Sequence, residues 1–197
     1  MAKTVLFSVL AYFFITAHAS HALVVTLNEE MVSSAKAYGI EHSKSIPAVL
    51  HDLYGVDKND VFTEWLLVRS KWYKLAALAA RKHRHAEHIS SEDQAQIVND
   101  DALQIDVIAY GRKLDFARDY RVEIVQAGRV IEPVKIHADH FQNAQTDKNS
   151  MRGFPCCTAT IRSYFEYASI DPAQKADVIL KKNGRQKTFT LDFSGFK

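Results

Sequence analysis

The sequence has few of the residues that mark common ligand sites. Its 197 residues include seven glycines and two cysteines. The spaced-glycine patterns of phosphate loops and dinucleotide turns are missing, as are the nucleophile-elbow and metalloprotease-helix patterns. Net charge is only +2, so we expect no nucleic acid as a partner. These absences exclude the enzyme classes that a short motif would reveal.

The remaining composition is that of an ordinary globular protein, with 47% hydrophobic and 24% charged residues. A chain of this length without its leader, about 175 residues, buries roughly 70% of its unfolded surface. We therefore expect one or two folded domains.

The first 22 residues have the order of an export signal. Lys3 supplies a positive charge, residues 4–16 are apolar, and Ala17-His18-Ala19 or Ser20-His21-Ala22 offers a cleavage site. This apolar run is short for a membrane span, which takes about 20 residues. We predict residues 1–22 as a signal peptide and an exported protein, periplasmic or extracellular, with no membrane span after cleavage.

Residues 23–101 are predicted to be a mostly helical region. Capping residues precede three candidate helices, at Asn28, Ser45 and Ser90. The longest apolar stripe predicts one further helix and consists of Trp65, Val68, Trp72, Leu75, Ala76 and Ala79. An alternative leaves residues 65–68 extended, with Ser70 capping a helix that starts at Lys71.

Residues 102–197 switch to a period of two, which predicts six antiparallel strands. Asn183-Gly184 between two alternating runs indicates a two-residue hairpin turn, and Ala127-Gly128 indicates another turn. Pro133 places the third strand at a sheet edge or a bulge. A long polar connection is expected from Ala138 to Pro155.

The fold class that follows is α+β, a helical region before an antiparallel β-sandwich of immunoglobulin-like architecture. The predicted boundaries are 1–22 for the signal peptide, 23–101 for the helical region and 102–197 for the sandwich. Whether the helical region packs on the sandwich is left open.

The two cysteines, Cys156 and Cys157, are adjacent, which leaves three interpretations. They form a redox or thiol-metal site, an intermolecular disulfide, or a strand position at which one of them is a buried small apolar residue. A disulfide between neighbours closes a strained ring and is easily reduced.

Two groups of histidines are candidate metal ligands. His83, His85 and His88 could bind zinc or copper, because His85 and His88 would be neighbours on a helix. His137, Asp139 and His140 form a second group. Against a metal site, the first group lies in the basic run 81–88, where positive charge repels a metal ion and a solvated helix end is the alternative.

The function predicted from these observations is a non-catalytic binding or scaffolding protein of the cell envelope with a protein partner and no cofactor. The alternative is a periplasmic metal-binding or thiol-active protein that uses His83, His85 and His88 or the pair Cys156-Cys157. An enzyme of unrecognised type is a third hypothesis, favoured by any deep pocket with converging polar groups.

Overall fold

The computed structural model describes residues 23, 25–57, 62–113, 115–142, 155 and 157–196. The signal segment 1–22, most of the expected connection (143–154) and Cys156 lie outside the described residues. Helices span Glu29–Glu41 (α1), Ile46–Tyr54 (α2), Lys71–Arg84 (α3) and Ser91–Val98 (α4). Strands span Gly55–Val56 (β1), Trp65–Arg69 (β2), Ala102–Gly111 (β3), Arg121–Gln126 (β4), Arg129–Ile131 (β5), Lys135–Gln142 (β6), Cys157–Glu166 (β7), Lys175–Lys182 (β8) and Arg185–Asp192 (β9).

Side-chain caps begin α1 and α4, as the sequence predicts. The Asn28 Oδ1 atom accepts a hydrogen bond from the Met31 N–H at 2.8 Å. Ser90 and Asp93 form a capping box, in which each side chain accepts from the backbone N–H of the other. Each bond satisfies an amide that has no partner within the helix.

A single helix from Trp65 onward is wrong, and the alternative is confirmed. Residues Trp65–Arg69 form strand β2, and Ser70 then caps α3 by accepting from the Tyr73 N–H at 3.2 Å. The helical period fails here because Leu66, Leu67 and Val68 are all buried, as a strand covered on both faces requires.

The strands form two antiparallel sheets, so the α+β class with a sandwich-like arrangement is confirmed. The five-stranded sheet has the order β1-β2-β3-β7-β6, and the four-stranded sheet has the order β5-β4-β8-β9. Buried side chains from both sheets and from the helices belong to one core cluster, including Leu66, Ile105, Phe165, Ile124, Val178, Phe189, Leu75 and Leu50. Strand β2 comes from the region predicted to be helical, so this sheet crosses the predicted boundary at 101/102.

The predicted third strand, Val130 to Ile136, is in fact two strands in different sheets. Strand β5 ends the four-stranded sheet and β6 ends the five-stranded one, with Pro133 between them. Proline offers no N–H to a ladder, so the pairing stops there and the chain changes sheet. Strand β6 also continues to Gln142, into the segment predicted as a polar connection.

Both predicted tight turns are present. Asn183 and Gly184 have φ angles of 47° and 75°, and Ala127 and Gly128 have 50° and 77°. Positive φ at both central positions is the geometry of a type I′ hairpin turn.

Helices α1 and α3 approach each other closely at Gly39. A Cβ added at Gly39 would lie 2.1 Å from the Ala76 carbonyl oxygen and 2.8 Å from the Ala79 Cβ. Gly39 disfavours the isolated helix, yet the close contact requires it.

Aromatic rings tie the end of the chain to the helices. Tyr54 stacks on Phe196 at 5.7 Å between ring centroids and contacts Trp72 at 6.3 Å. The Leu23 N–H donates to the Phe193 carbonyl at 2.6 Å. Within the described part of the chain, no helix has the length and apolarity needed to cross a membrane.

Candidate binding surfaces

The three clustered histidines lie at and beyond the end of α3. This helix ends at Arg84, so His85 is its C-cap and His88 lies in the irregular segment before α4. His83, His85 and His88 are all exposed. Among the described residues, no three His, Cys, Asp or Glu side chains are placed to hold a metal ion. Zinc or copper binding stays a prediction, which metal analysis of the purified protein would test.

The basic run around these histidines has its own acidic partners. Lys82 Nζ lies 2.9 Å from Glu87 Oε2 and 3.5 Å from Asp93 Oδ2. The hydrogen bond that Lys82 donates to Glu87 raises the pKa of Lys82 and lowers the pKa of Glu87. Local pairing therefore reduces the positive field of this segment.

The second histidine group is part of an ion-pair network across β6 and β7. His137 Nε2 lies 2.8 Å from Asp139 Oδ1, and the Arg162 guanidinium contacts the other carboxylate oxygen. The side chain of His140 is outside the described residues. The network links an edge strand to its neighbour.

Cys157 is buried at the start of β7 and is disulfide-bonded. Its neighbour Cys156, the only other cysteine of the sequence, lies outside the described residues. This bond contradicts the interpretation of Cys157 as an unpaired apolar residue of the strand. Redox activity at Cys156 and Cys157 stays a prediction.

The exposed apolar side chains of the described residues are unevenly distributed. Six large ones are exposed, and three of these lie within seven residues. Val130, Val134 and Ile136 are 52%, 60% and 41% exposed, and we call these three residues the open flank. Clustered exposed apolar residues are typical of interaction sites.

The open flank lies where the chain passes from β5 to β6. Strand β6 pairs on one side with β7, and the Val134 N–H donates to the Tyr164 carbonyl at 2.8 Å. No described strand pairs with the other side of β6. An edge strand of eight residues can accept a further strand from another chain.

A cavity of about 630 Å³ lies beside the β8–β9 turn, and we call it the hairpin basin. The Tyr120 hydroxyl in its wall donates to Glu64 Oε1 at 3.2 Å. Burial, and then the Glu64 charge, raise the pKa of Tyr120 far above its usual range. The hydroxyl therefore stays protonated at neutral pH and donates this hydrogen bond.

A second cavity, about 450 Å³, lies between α2, α3 and α4. Arg69 in its wall forms an ion pair with fully buried Asp106, with 2.6 Å between Nε and Oδ2. These two atoms are poorly aligned for a hydrogen bond, whereas Gln104 Nε2 donates to Asp106 Oδ1 at 2.7 Å. The sequence pattern does not identify this pair, because the two residues are 37 positions apart and meet only when β2 pairs with β3.

No protein-family model matches this sequence, and no curated protein or solved structure shows significant similarity to it. Function is therefore inferred from the described surfaces, chiefly the open flank and the hairpin basin.

Proposed function

We propose that this chain is an exported, non-catalytic binding protein of the cell envelope that takes up an extended segment of a protein partner along β6. The observation that carries the proposal is that three exposed apolar residues, Val130, Val134 and Ile136, lie within the seven residues that lead into the edge strand β6. Backbone groups of β6 would provide hydrogen bonds, and the apolar side chains would provide a desolvated contact.

A comparison with another long edge strand supports the choice of β6. Strand β9 ends the four-stranded sheet, but the side chains it exposes are polar or charged, including Arg185, Gln186, Thr188 and Asp192. Polar and charged side chains protect an edge against pairing. Strand β6 also exposes Lys135 and His137, but Val134 just before it and Ile136 within it add exposed apolar side chains, which β9 does not have.

The sandwich is, in our proposal, immunoglobulin-like, and the strand order supports this. If β2, β3, β7 and β6 correspond to strands A, B, E and D, the five-stranded sheet has the order of one immunoglobulin sheet with β1 added. The four-stranded sheet β5-β4-β8-β9 then corresponds to C′-C-F-G. Helices α3 and α4 would be an insertion between A and B.

Export to the periplasm or the extracellular space is also a proposal, and its support is the signal pattern of residues 1–22. We expect the mature chain to begin at Ser20 or Leu23. Intact-mass measurement of protein recovered from the envelope fraction tests this, and a mass that retains residues 1–19 would contradict it.

Thiol exchange is a second candidate function, favoured by the disulfide at Cys157. Its test is alkylation of the protein after equilibration in thiol buffers of increasing reducing strength. Reduction in mild buffers supports this function, because structural disulfides resist the glutathione pool. Resistance to such buffers would remove it.

Photo-crosslinking in the native envelope tests partner binding most simply. A photoreactive amino acid is introduced in place of Ile136, and in a matched control in place of Leu53, an exposed apolar residue of α2. We expect a discrete crosslinked species from position 136 and none from position 53. Identical crosslinking patterns at both positions, or none at either, would contradict the proposal.

A further inference from the structure

The β8–β9 turn carries an uneven distribution of charge. The hairpin basin and a smaller cavity of about 250 Å³ share four residues of this turn, Lys182, Asn183, Arg185 and Gln186. The walls of the two cavities contain five cationic side chains and two carboxylates: Arg121, Lys181, Lys182, Arg185 and Lys187 against Glu64 and Asp119. Positive charge therefore predominates in a concave surface, where fields are concentrated.

Some of these cations have partners that fix them in place. Lys181 Nζ forms an ion pair with the carboxylate of Glu123, and Lys187 Nζ donates to the backbone carbonyl of Glu64. The Glu64 carboxylate, which opposes an anion, accepts the hydrogen bond of Tyr120. This charge-assisted hydrogen bond partly compensates the negative charge of the Glu64 carboxylate.

Neither Lys182 nor Arg185 has a carboxylate partner among the described residues. Lys182 Nζ lies 4.4 Å from the ring centroid of Tyr120 and 5.1 Å from that of Phe116. The aromatic rings hold the ammonium group without neutralising it. Arg185 is exposed and directly follows the turn formed by Asn183 and Gly184, so a tightly defined backbone presents both cations.

We propose that the hairpin basin binds a polyvalent oxyanion, a phosphate or sulfate group of a soluble chain or of a lipid headgroup. A guanidinium group can bond two oxygens of such a group at once, and an ammonium group adds a point charge. The two adjoining cavities share Lys182 and Arg185, so neighbouring anionic groups on one molecule fit better than a single carboxylate. The β8–β9 turn lies beside Arg121, at the start of β4, whereas the open flank follows the end of β4. The two proposed sites are therefore separate, and the two proposals are independent.

Titration calorimetry with sodium tripolyphosphate tests the site on the full mature chain. The variants are Arg185→Gln and the double variant Lys182→Gln/Arg185→Gln. The control, Lys44→Gln/Lys175→Gln, removes the same charge at exposed positions outside both cavities. We expect the double variant to bind about tenfold more weakly or worse, equivalent to one lost charge-assisted contact, and the control to stay within about twofold.

Arg185→Gln alone keeps the test decisive if Lys182→Gln disturbs folding through its ring contacts, because Arg185 is exposed. The single variant should weaken binding by about threefold or more. An absence of binding by the unmodified protein, an unchanged affinity of Arg185→Gln, or an equal loss in the control would overturn the proposal.

Vesicles identify the source of the anion once tripolyphosphate binds. Phosphatidylglycerol vesicles are compared with phosphatidylcholine vesicles in a sedimentation assay. Selective binding to phosphatidylglycerol that tripolyphosphate competes away supports the site with a lipid headgroup as ligand. Tripolyphosphate binding without vesicle binding supports it with a soluble ligand. Phosphatidylglycerol binding that Lys182→Gln/Arg185→Gln leaves unchanged would contradict the site.

Discussion

The two ends of the five-stranded sheet differ in how they are covered. At the β1–β2 end, helices lie beside the strands: His51 of α2 contacts the Trp65 ring at 5.3 Å, and the Arg69 guanidinium lies 5.3 Å from the Tyr73 ring of α3. At the β6 end, no described strand pairs with the outer edge of β6, and Ile136 is exposed.

We propose that the two ends of the sheet have different roles, stability at the helix-covered end and binding at the β6 end. Substitutions at the helix-covered end should cost stability, because side chains there are buried and have buried partners. Substitutions at the β6 end should cost little stability and should affect binding. Substitutions in both regions test this difference, and the largest loss of stability is expected at the Arg69–Asp106 ion pair.

Asp106→Ala should reduce the free energy of unfolding by about 3 kcal/mol, since it removes one member of a buried ion pair. The expected loss is near the lower end of the usual range because the Arg69 side chain is 33% exposed and can regain water. Urea unfolding measures the change. The double variant Arg69→Met/Asp106→Leu should recover part of it, and a loss below about 1 kcal/mol for Asp106→Ala would contradict the account.

Gly39→Ala should cost about 2 kcal/mol, because the new methyl group meets the Ala76 backbone and neither helix can move without disturbing the core. The gain in helix propensity, about 1 kcal/mol, opposes this cost and does not offset it. Gly195→Ala is the matched control, since a Cβ there meets nothing within 4 Å. Thermal unfolding of both variants should show a loss for Gly39→Ala only; a more stable Gly39→Ala protein would mean that the helices are less closely packed than described.

Much of the fold can be predicted from local sequence signals. Asn28, Ser90 and the Asn183-Gly184 turn are recognisable because cap and turn chemistry depends on a few neighbouring residues. From the sequence, strand β2 is only an alternative to a longer helix. Its apolar residues have helical spacing, and pairing with β3 overrides this local preference.

The candidate surfaces are harder to predict because they depend on contacts between distant residues. Pro133 indicates an edge, but the sequence does not show that the chain changes sheet there. Residues Tyr120, Lys182 and Glu64 meet in the hairpin basin from three separate segments. The prediction that His85 and His88 are neighbours required both to lie on a helix. Helix α3 ends at Arg84, before either of them.

Gly184→Val should destabilise the protein by about 1 kcal/mol, because a β-branched side chain resists the φ angle of 75° at this turn. Thr188→Val, at an exposed strand position of β9, is the control and should be neutral or slightly stabilising. Chemical unfolding of both variants checks this. Equal effects of the two substitutions would show that the turn geometry does not limit stability.

The smallest stability effect is expected for Val134→Glu/Ile136→Glu, within about 0.5 kcal/mol, because both side chains are already exposed. The matched control is Leu53→Glu, which places the same charged residue at an exposed apolar position of α2. Unfolding curves of both variants should overlie that of the unmodified protein.

The most direct test of the central claim is partner capture by these same two variants from a native envelope extract, with the unfolding free energy measured in parallel. The account predicts that the unmodified chain and Leu53→Glu capture the same partner, while Val134→Glu/Ile136→Glu retains its stability and captures about tenfold less, because burying the introduced charges would be unfavourable. Undiminished capture by Val134→Glu/Ile136→Glu, or equal loss in Leu53→Glu, would contradict binding at the open flank.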